Sequence, residues 1–351
     1  MVVLVLVLTA SLYTYAQSGR ALAISSNGGQ SSPAQPRVQK NAAVNNPSLP
    51  EFNEDWTKLS IKGLGLQQYL ALPGGSVERP QFTREMVRLE WRPDDPVDLY
   101  ISLPKGVRKP RVILYLYGYP ADASRFTADD WCIGATNGGF AAVGFVSALT
   151  GERYRHRALR EWFISELQES LATTTHDVQM ILNYLQTRSD LNTDRLAMYA
   201  QGSGASIAIL AASVDSRILV LDLLNPWGDW PDWLKTSEWI DEKERASYLR
   251  PEFLDKVSTL DPVQVLPKLT QIVRLQQVKD DRITPTAARE RIAASLPPGA
   301  TVFESDSWST YWQAWKEKKL WDWAKEKLEP KPVQTLLTPA TDSNIHKSST
   351  H

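Results

Sequence analysis

The residues with most chemical potential lie together at Ala200-Gln201-Gly202-Ser203-Gly204-Ala205-Ser206. An apolar run, Leu196–Ala200, stops at this glycine-rich turn, and small or apolar residues follow it (Ala205, Ile207, Ala208, Leu210, Ala211). The pattern predicts a buried strand, a tight turn and a helix. A serine on such a turn is a nucleophile only if a general base takes its proton, and the base needs an acid to orient it. Two serines are within reach, Ser203 in the turn and Ser206 about one helical turn further. Bases are scarce: the chain has four histidines, His156, His176, His346 and His351, and none falls between 176 and 346.

The elements that must position these groups can be read in order. Met86–Trp91 and Val97–Leu103 show β patterns separated by Arg92-Pro93-Asp94-Asp95-Pro96, an antiparallel pair suited to a sheet edge. Arg111–Leu116 runs into Tyr117-Gly118-Tyr119-Pro120 and reads as a buried parallel strand. A short helix around Ala128–Ala135 precedes a second apolar strand, Phe140–Val146. The stretch Gly151–Arg160 holds four arginines and His156. It reads either as an anion site, with Arg153 and Arg155 taking carboxylate, phosphate or sulfate groups, or as a solvated loop paired with Glu161, Glu166 and Glu169. The second reading is preferred. Trp162–Leu185 gives one long helix or two in succession. Thr173-Thr174-Thr175-His176-Asp177 would cap the second, which makes His176 a helix-start residue rather than a base.

Beyond the turn, Ile218–Leu224 is another buried strand and leads into Asn225-Pro226-Trp227-Gly228-Asp229-Trp230-Pro231-Asp232-Trp233. A charged helical segment follows to about Val265. Trp227, Trp230, Trp233 and Trp239 could be platforms for a sugar ring or apolar ligand, or could pin the segment to the core. Core packing is preferred, because tryptophan is mostly buried. Ile272–Val278 and Ala300–Phe303 complete the strands, and Thr310–Lys327 reads as a final helix.

The 351 residues are 42% apolar, enough for one large α/β domain. A net charge of −1 gives no electrostatic case for nucleic acid. One cysteine, Cys132, and scattered histidines offer no disulfide, no metal set and no cofactor site. Residues 2–12 form an apolar run too short to span a bilayer, read as a signal peptide cleaved near Ala16, so no membrane span is expected afterwards. Residues 17–50 read as a flexible linker, 51–328 as the folded domain and 329–351 as a disordered tail.

This order of elements resembles the α/β-hydrolase fold, near its dienelactone-hydrolase, acetyl-xylan-esterase and prolyl-oligopeptidase-like branches. The resemblance implies a doubly wound, mostly parallel sheet with an antiparallel N-terminal edge and a Trp-rich helical cap over residues 226–265. It places Gly202 where the family has its nucleophilic serine. An elbow residue sits in a strained backbone conformation that costs a non-glycine about 1–3 kcal/mol; glycine takes it with little steric cost, but supplies no hydroxyl. The resemblance also assigns the oxyanion-hole positions to Gly118, Tyr119 and Ser203, with Tyr117 replacing a histidine common before that glycine. Asp281 matches the acid, with Asp280 next in line. Trp308 or Ser307 stands where the histidine base belongs.

The expectation is an exported, catalytically silent relative. Its capped pocket would bind a small-molecule, carbohydrate or peptide ligand through Tyr117, Gln201, Trp227, Trp230, Arg153 and Arg155. The rival is a working esterase or peptidase with Ser203 or Ser206 as nucleophile, Asp281 as acid, and His176, His156 or His346 as base. Asp281 with Asp229 or Glu304 would be an acid–base pair of another kind. A third possibility is a scaffolding protein, favoured if the cap closes the pocket.

Overall fold

The computed structural model describes residues 54–329 except 69, 94, 149, 151–152, 154–163, 318–319 and 321. The signal-peptide and linker segments, the tail beyond 329, Arg155, His156 and His346 lie outside the described residues.

Nine strands form one sheet in the order β1-β2-β3-β5-β4-β6-β7-β8-β9 among the described residues. β1 (Leu70–Glu78), β2 (Phe82–Glu90) and β3 (Val97–Pro104) are antiparallel neighbours at one edge. β4 (Arg111–Leu116), β5 (Ala141–Gly144), β6 (Asn192–Gln201), β7 (Ile218–Leu224), β8 (Ile272–Val278) and β9 (Thr301–Ser305) run parallel. The burial pattern explains the division. β4, β7 and β8 are buried along almost their whole length, as strands covered on both faces must be. β3 alternates buried and half-buried positions over its first half, as a strand with one covered face does. β1 has no counterpart in the sequence reading. Its Pro73-Gly74-Gly75 interrupts the β pattern, and the structure accommodates it as a register shift between Pro73 and Gly75.

Among the described residues the α-helices are α1 (Ser124–Thr127), α2 (Asp129–Thr136), α3 (Leu167–Thr187), α4 (Ser203–Val214), α5 (Trp230–Thr236), α6 (Glu242–Tyr248), α7 (Pro251–Ser258), α8 (Pro262–Val265), α9 (Thr286–Ala294), α10 (Trp308–Lys316) and α11 (Trp323–Leu328). α4 follows β6 directly and is buried from Ser203 to Ala212. Its small residues let the backbone come close to the sheet. A Cβ at Gly204 would lie 2.5 Å from the Leu116 carbonyl oxygen, so Gly204→Ala would push the helix off β4. Ile207, Ile209 and Leu210 are each 0% exposed, and such side chains contribute about 1.5–3 kcal/mol apiece.

Two sequence expectations are corrected here. α3 runs unbroken through Thr173–Asp177, so His176 starts no helix: it is a fully buried mid-helix residue. The final helix is two, because α10 and α11 are anchored in different places. Tyr311 hydrogen-bonds Gln276 of β8, whereas Lys325 donates to backbone carbonyls at the end of α2.

Between β7 and β8 lies the helical insert α5–α8, in the stretch expected to form the cap. Asp261 ties it together. Its carboxylate accepts from the Asp229, Trp230 and Val263 N–H groups at 2.8, 2.9 and 3.1 Å, capping α5 and α8 at once. Trp230 and Trp233 are 1% and 0% exposed.

Candidate active site

Gly202 has φ +56° and ψ −126°, between β6 and α4. This is backbone that glycine adopts readily and a side chain resists. A tight elbow therefore exists at the predicted place. What stands over it is Trp227. A Cβ built at Gly202 would be 3.3 Å from the Trp227 Nε1 and 3.6 Å from its Cε2. The indole, 3% exposed, thus packs closely on the apex, tighter than an ordinary contact with a Cβ there. Its ring stacks on Trp233 at 4.8 Å and meets Trp239 edge-on at 4.8 Å, and Trp239 in turn lies 5.6 Å from Tyr119.

The two serines near the elbow are both committed. The Ser203 Oγ accepts a 2.8 Å hydrogen bond from the Tyr119 N–H, a group that the resemblance assigns to the oxyanion hole. One of the expected donors is thus engaged by the chain's own hydroxyl. The Ser206 Oγ donates to the Trp227 carbonyl at 2.6 Å. Both residues are fully buried. Gly118 is packed tightly against the elbow, where a Cβ would meet the Gln201 carbonyl oxygen at 3.0 Å and the Ser203 nitrogen at 3.4 Å. Gln201 is half-buried at the end of β6.

The loop expected to hold the acid follows β8. Asp281 is 9% exposed and fully engaged: its carboxylate accepts from Asn225 Nδ2 at 3.0 Å, the Ile283 N–H at 3.2 Å and the Thr284 N–H at 3.3 Å. Burial pushes its carboxyl above the usual range, although the backbone donors oppose this. Asn225, at φ +42°, organises the loop: its Oδ1 accepts from the Val278 N–H at 2.9 Å. Asp280, not Asp281, reaches the position expected to hold the base, where its Oδ1 accepts from the Trp308 backbone N–H at 3.0 Å. The two loops that would join acid to histidine do meet, but through a backbone amide. The Trp308 ring turns to Tyr311 and Trp312.

Sequence comparison with family models and with curated proteins gives no match. Solved structures do match. An acetyl xylan esterase from a Thermoanaerobacterium species aligns with a TM-score of 0.60 at 11% identity, over 76% of this chain and 91% of that one. One from a Paenibacillus species gives 0.57 at 14% identity, over 77% and 95%. A cold-adapted esterase from an Arctic intertidal metagenomic library gives 0.54 at 15% identity, over 73% and 98%. This chain has the α/β-hydrolase fold.

On that fold the remaining candidates have structural tasks. His176, considered as a base, has both ring nitrogens engaged, Nδ1 with Glu54 and Nε2 with the Lys58 carbonyl at 2.6 Å. Arg153, expected at a ligand site, is 2% exposed and spans Asp95 (3.0 and 2.9 Å) and Asp177 (2.7 Å). Its five donors have no room for an outside anion, because burial demands that the charge be paired internally. Arg92 joins the same cluster, held by Glu54 and Asp177, and Trp91 Nε1 donates to Asp177 at 3.0 Å. Burial raises the Glu54 carboxyl, but hydrogen bonds from His176 and Arg92 outweigh it and hold the pKa at about 2. Tyr117 turns away into an aromatic cluster. Its hydroxyl accepts from Trp131 Nε1 at 2.7 Å, and Arg125 lies 4.1 Å from its ring centre. Trp227 and Trp230 are core residues, the second donating from Nε1 to the Leu260 carbonyl at 3.2 Å.

The sequence reading missed the Tyr119–Ser203 bond, the role of Asn225 and the acids of the ion cluster. Only the last left a signal: Arg92 and Asp95 sit in one breaker-rich turn, where buried charge is unusual.

Proposed function

We propose that this protein uses the α/β-hydrolase fold for binding and performs no serine-hydrolase chemistry at its elbow. The observation that carries the reading is Gly202 at φ +56° beneath the Trp227 indole. An elbow without a hydroxyl has nothing to acylate, and Tyr119, one candidate oxyanion donor, is already taken by Ser203. Close packing of Trp227 on the elbow favours recognition through other surfaces over a ligand held against Gly202. Export, suggested by residues 2–12, belongs to the same proposal.

The second reading is an esterase with a displaced nucleophile, and the esterases that share this fold speak for it. It needs Ser203 or Ser206 to break its present hydrogen bond and a histidine from outside the described residues to arrive beside it. Hydrolysis of p-nitrophenyl acetate and butyrate decides between them. The purified protein is expected to turn over neither above the buffer rate. Turnover that disappears in Ser203→Ala or Ser206→Ala would establish the esterase.

A further inference from the structure

We propose that a basic groove at the end of the sheet opposite the elbow binds an acidic, partly apolar peptide segment of a partner protein. The groove, of about 590 Å³, lies between the β3–β4 loop, Pro104–Pro110, and the Ser189-Asp190 turn before β6. Gly118 and Gly202 follow β4 and β6, whereas Pro110 and Asp190 precede them, so the groove and the elbow sit at opposite strand ends. The proposal therefore stands apart from the reading of the elbow.

Three cations line this groove: Lys105, Arg108 and Lys109. Lys105 is paired with Glu78, and Asp190, which also lines it, shares Arg188 with Glu85, at 2.6 and 3.0 Å respectively. Among the described residues Arg108 and Lys109 have no ion-pair partner, and both are exposed. Two uncompensated positive charges are left facing solvent beside a cleft whose size falls within the usual range for ligand sites, roughly 300–1,000 Å³.

The cleft is not only basic. Leu103, Pro104, Val107 and Pro110 line it, and Val107 is 42% exposed. A highly charged polyanion would gain nothing from this apolar lining, whereas a chain that alternates carboxylates with apolar side chains uses both features. A proline stands at each end of the loop, and their fixed φ angles leave those two positions with less freedom to lose on binding.

Fluorescence anisotropy on the full chain tests this with a dye-labelled hexapeptide of alternating Glu and Leu, beside one of alternating Glu and Ser. The Glu/Leu peptide is expected to bind saturably at low salt. Arg108→Glu with Lys109→Glu should weaken it at least about tenfold, since each carboxylate loses a charged partner. Lys243→Glu with Lys256→Glu, on the helical insert, should leave it unchanged. The Glu/Ser peptide should bind at least about fivefold more weakly, for want of apolar contacts. Absence of saturable binding, or equal binding to the Arg108/Lys109 double variant, overturns the proposal. So does equal affinity for both peptides, or tighter binding of a heparin oligosaccharide, which would make this a general polyanion surface. None of these results depends on whether esters are hydrolysed.

Discussion

At the elbow the chain keeps a glycine-only backbone conformation and, among the described residues, no titratable side chain, while around Asp177 it keeps five charged side chains. The first is a turn whose apex carries no side chain. The second holds the residue types that chemistry uses, employed in holding the molecule together. The difference follows from two physical demands. A tight turn between a buried strand and a buried helix is required by packing whatever stands at its apex, and glycine meets that requirement most easily. A buried charge is required to be paired, so arginine, histidine and aspartate brought into the core neutralise one another. Reactive-looking residues thus gather where they have no freedom to react.

The sharpest way to break this comparison is to remove one member from each region. Asp177→Ala leaves Arg92 and Arg153 buried without their shared partner and is expected to cost about 3–5 kcal/mol. Thermal unfolding should show it as a drop on the order of 10 °C. Asp281→Ala removes an acceptor from Asn225 and two backbone N–H groups, and should cost only about 1–3 kcal/mol. A larger effect at Asp281 than at Asp177 would make the acid loop the structural centre and reverse the assignment.

Acid sharpens the same contrast, because the carboxylates of the two regions shift in opposite directions. Glu54 has a folded pKa of about 2 against an ordinary value of 4.5. Its contribution, about 3 kcal/mol, is complete above 4.5 and is lost as the pH falls towards 2. Asp281 is shifted upward by burial, so its contribution is complete below the ordinary carboxylate range and is lost as the pH rises through its folded value. Urea unfolding at about pH 6 and about pH 3, on either side of the ordinary carboxylate range, should therefore show wild type losing stability on acidification. Glu54→Gln should lose less of it, and Asp281→Asn more. Equal losses in all three proteins would refute the shifts.

Much of the fold was legible because its signals are local. Leu196–Ala200, Ile218–Leu224 and Ile272–Val278 are apolar runs long enough to be buried strands, and the Gly202 turn marks the step from strand to helix. β1 was hidden by its own Pro-Gly-Gly, which suits a bulge as well as a loop. The site was legible only as positions. That Gly202 lacks a hydroxyl can be read from the sequence, but that Trp227 covers it depends on two positive-φ residues, Asn225 and Asp229, folding the intervening segment back over the elbow. The cluster about Asp177 joins Glu54, Asp95, Arg153 and Asp177 across more than a hundred positions, and no spacing rule connects residues so far apart. The Trp-rich insert was ambiguous for a simpler reason: a tryptophan that binds a ligand and one that fills a core have the same composition.

The smallest changes test whether the elbow is only a shape. Gly202→Ser places a Cβ at φ +56° and 3.3 Å from Trp227 Nε1, so the indole must yield by a few tenths of an ångström. The backbone strain alone should cost about 1–3 kcal/mol in a denaturant titration. Ser203→Ala removes the acceptor of the Tyr119 N–H and should cost about 1 kcal/mol. The double variant combines an apex hydroxyl with a freed Tyr119 N–H. Among the described residues it still lacks a base, because Trp308 presents only a backbone amide to Asp280 and His176 is held by Glu54 and Lys58. A serine that keeps its proton reacts slowly, so a fluorophosphonate probe should label the double variant no faster than it labels the unfolded chain. Rapid labelling of the hydroxyl introduced by Gly202→Ser would mean that a histidine from another part of the chain reaches the elbow, and the contrast between a bare elbow and a filled ion cluster would then fail.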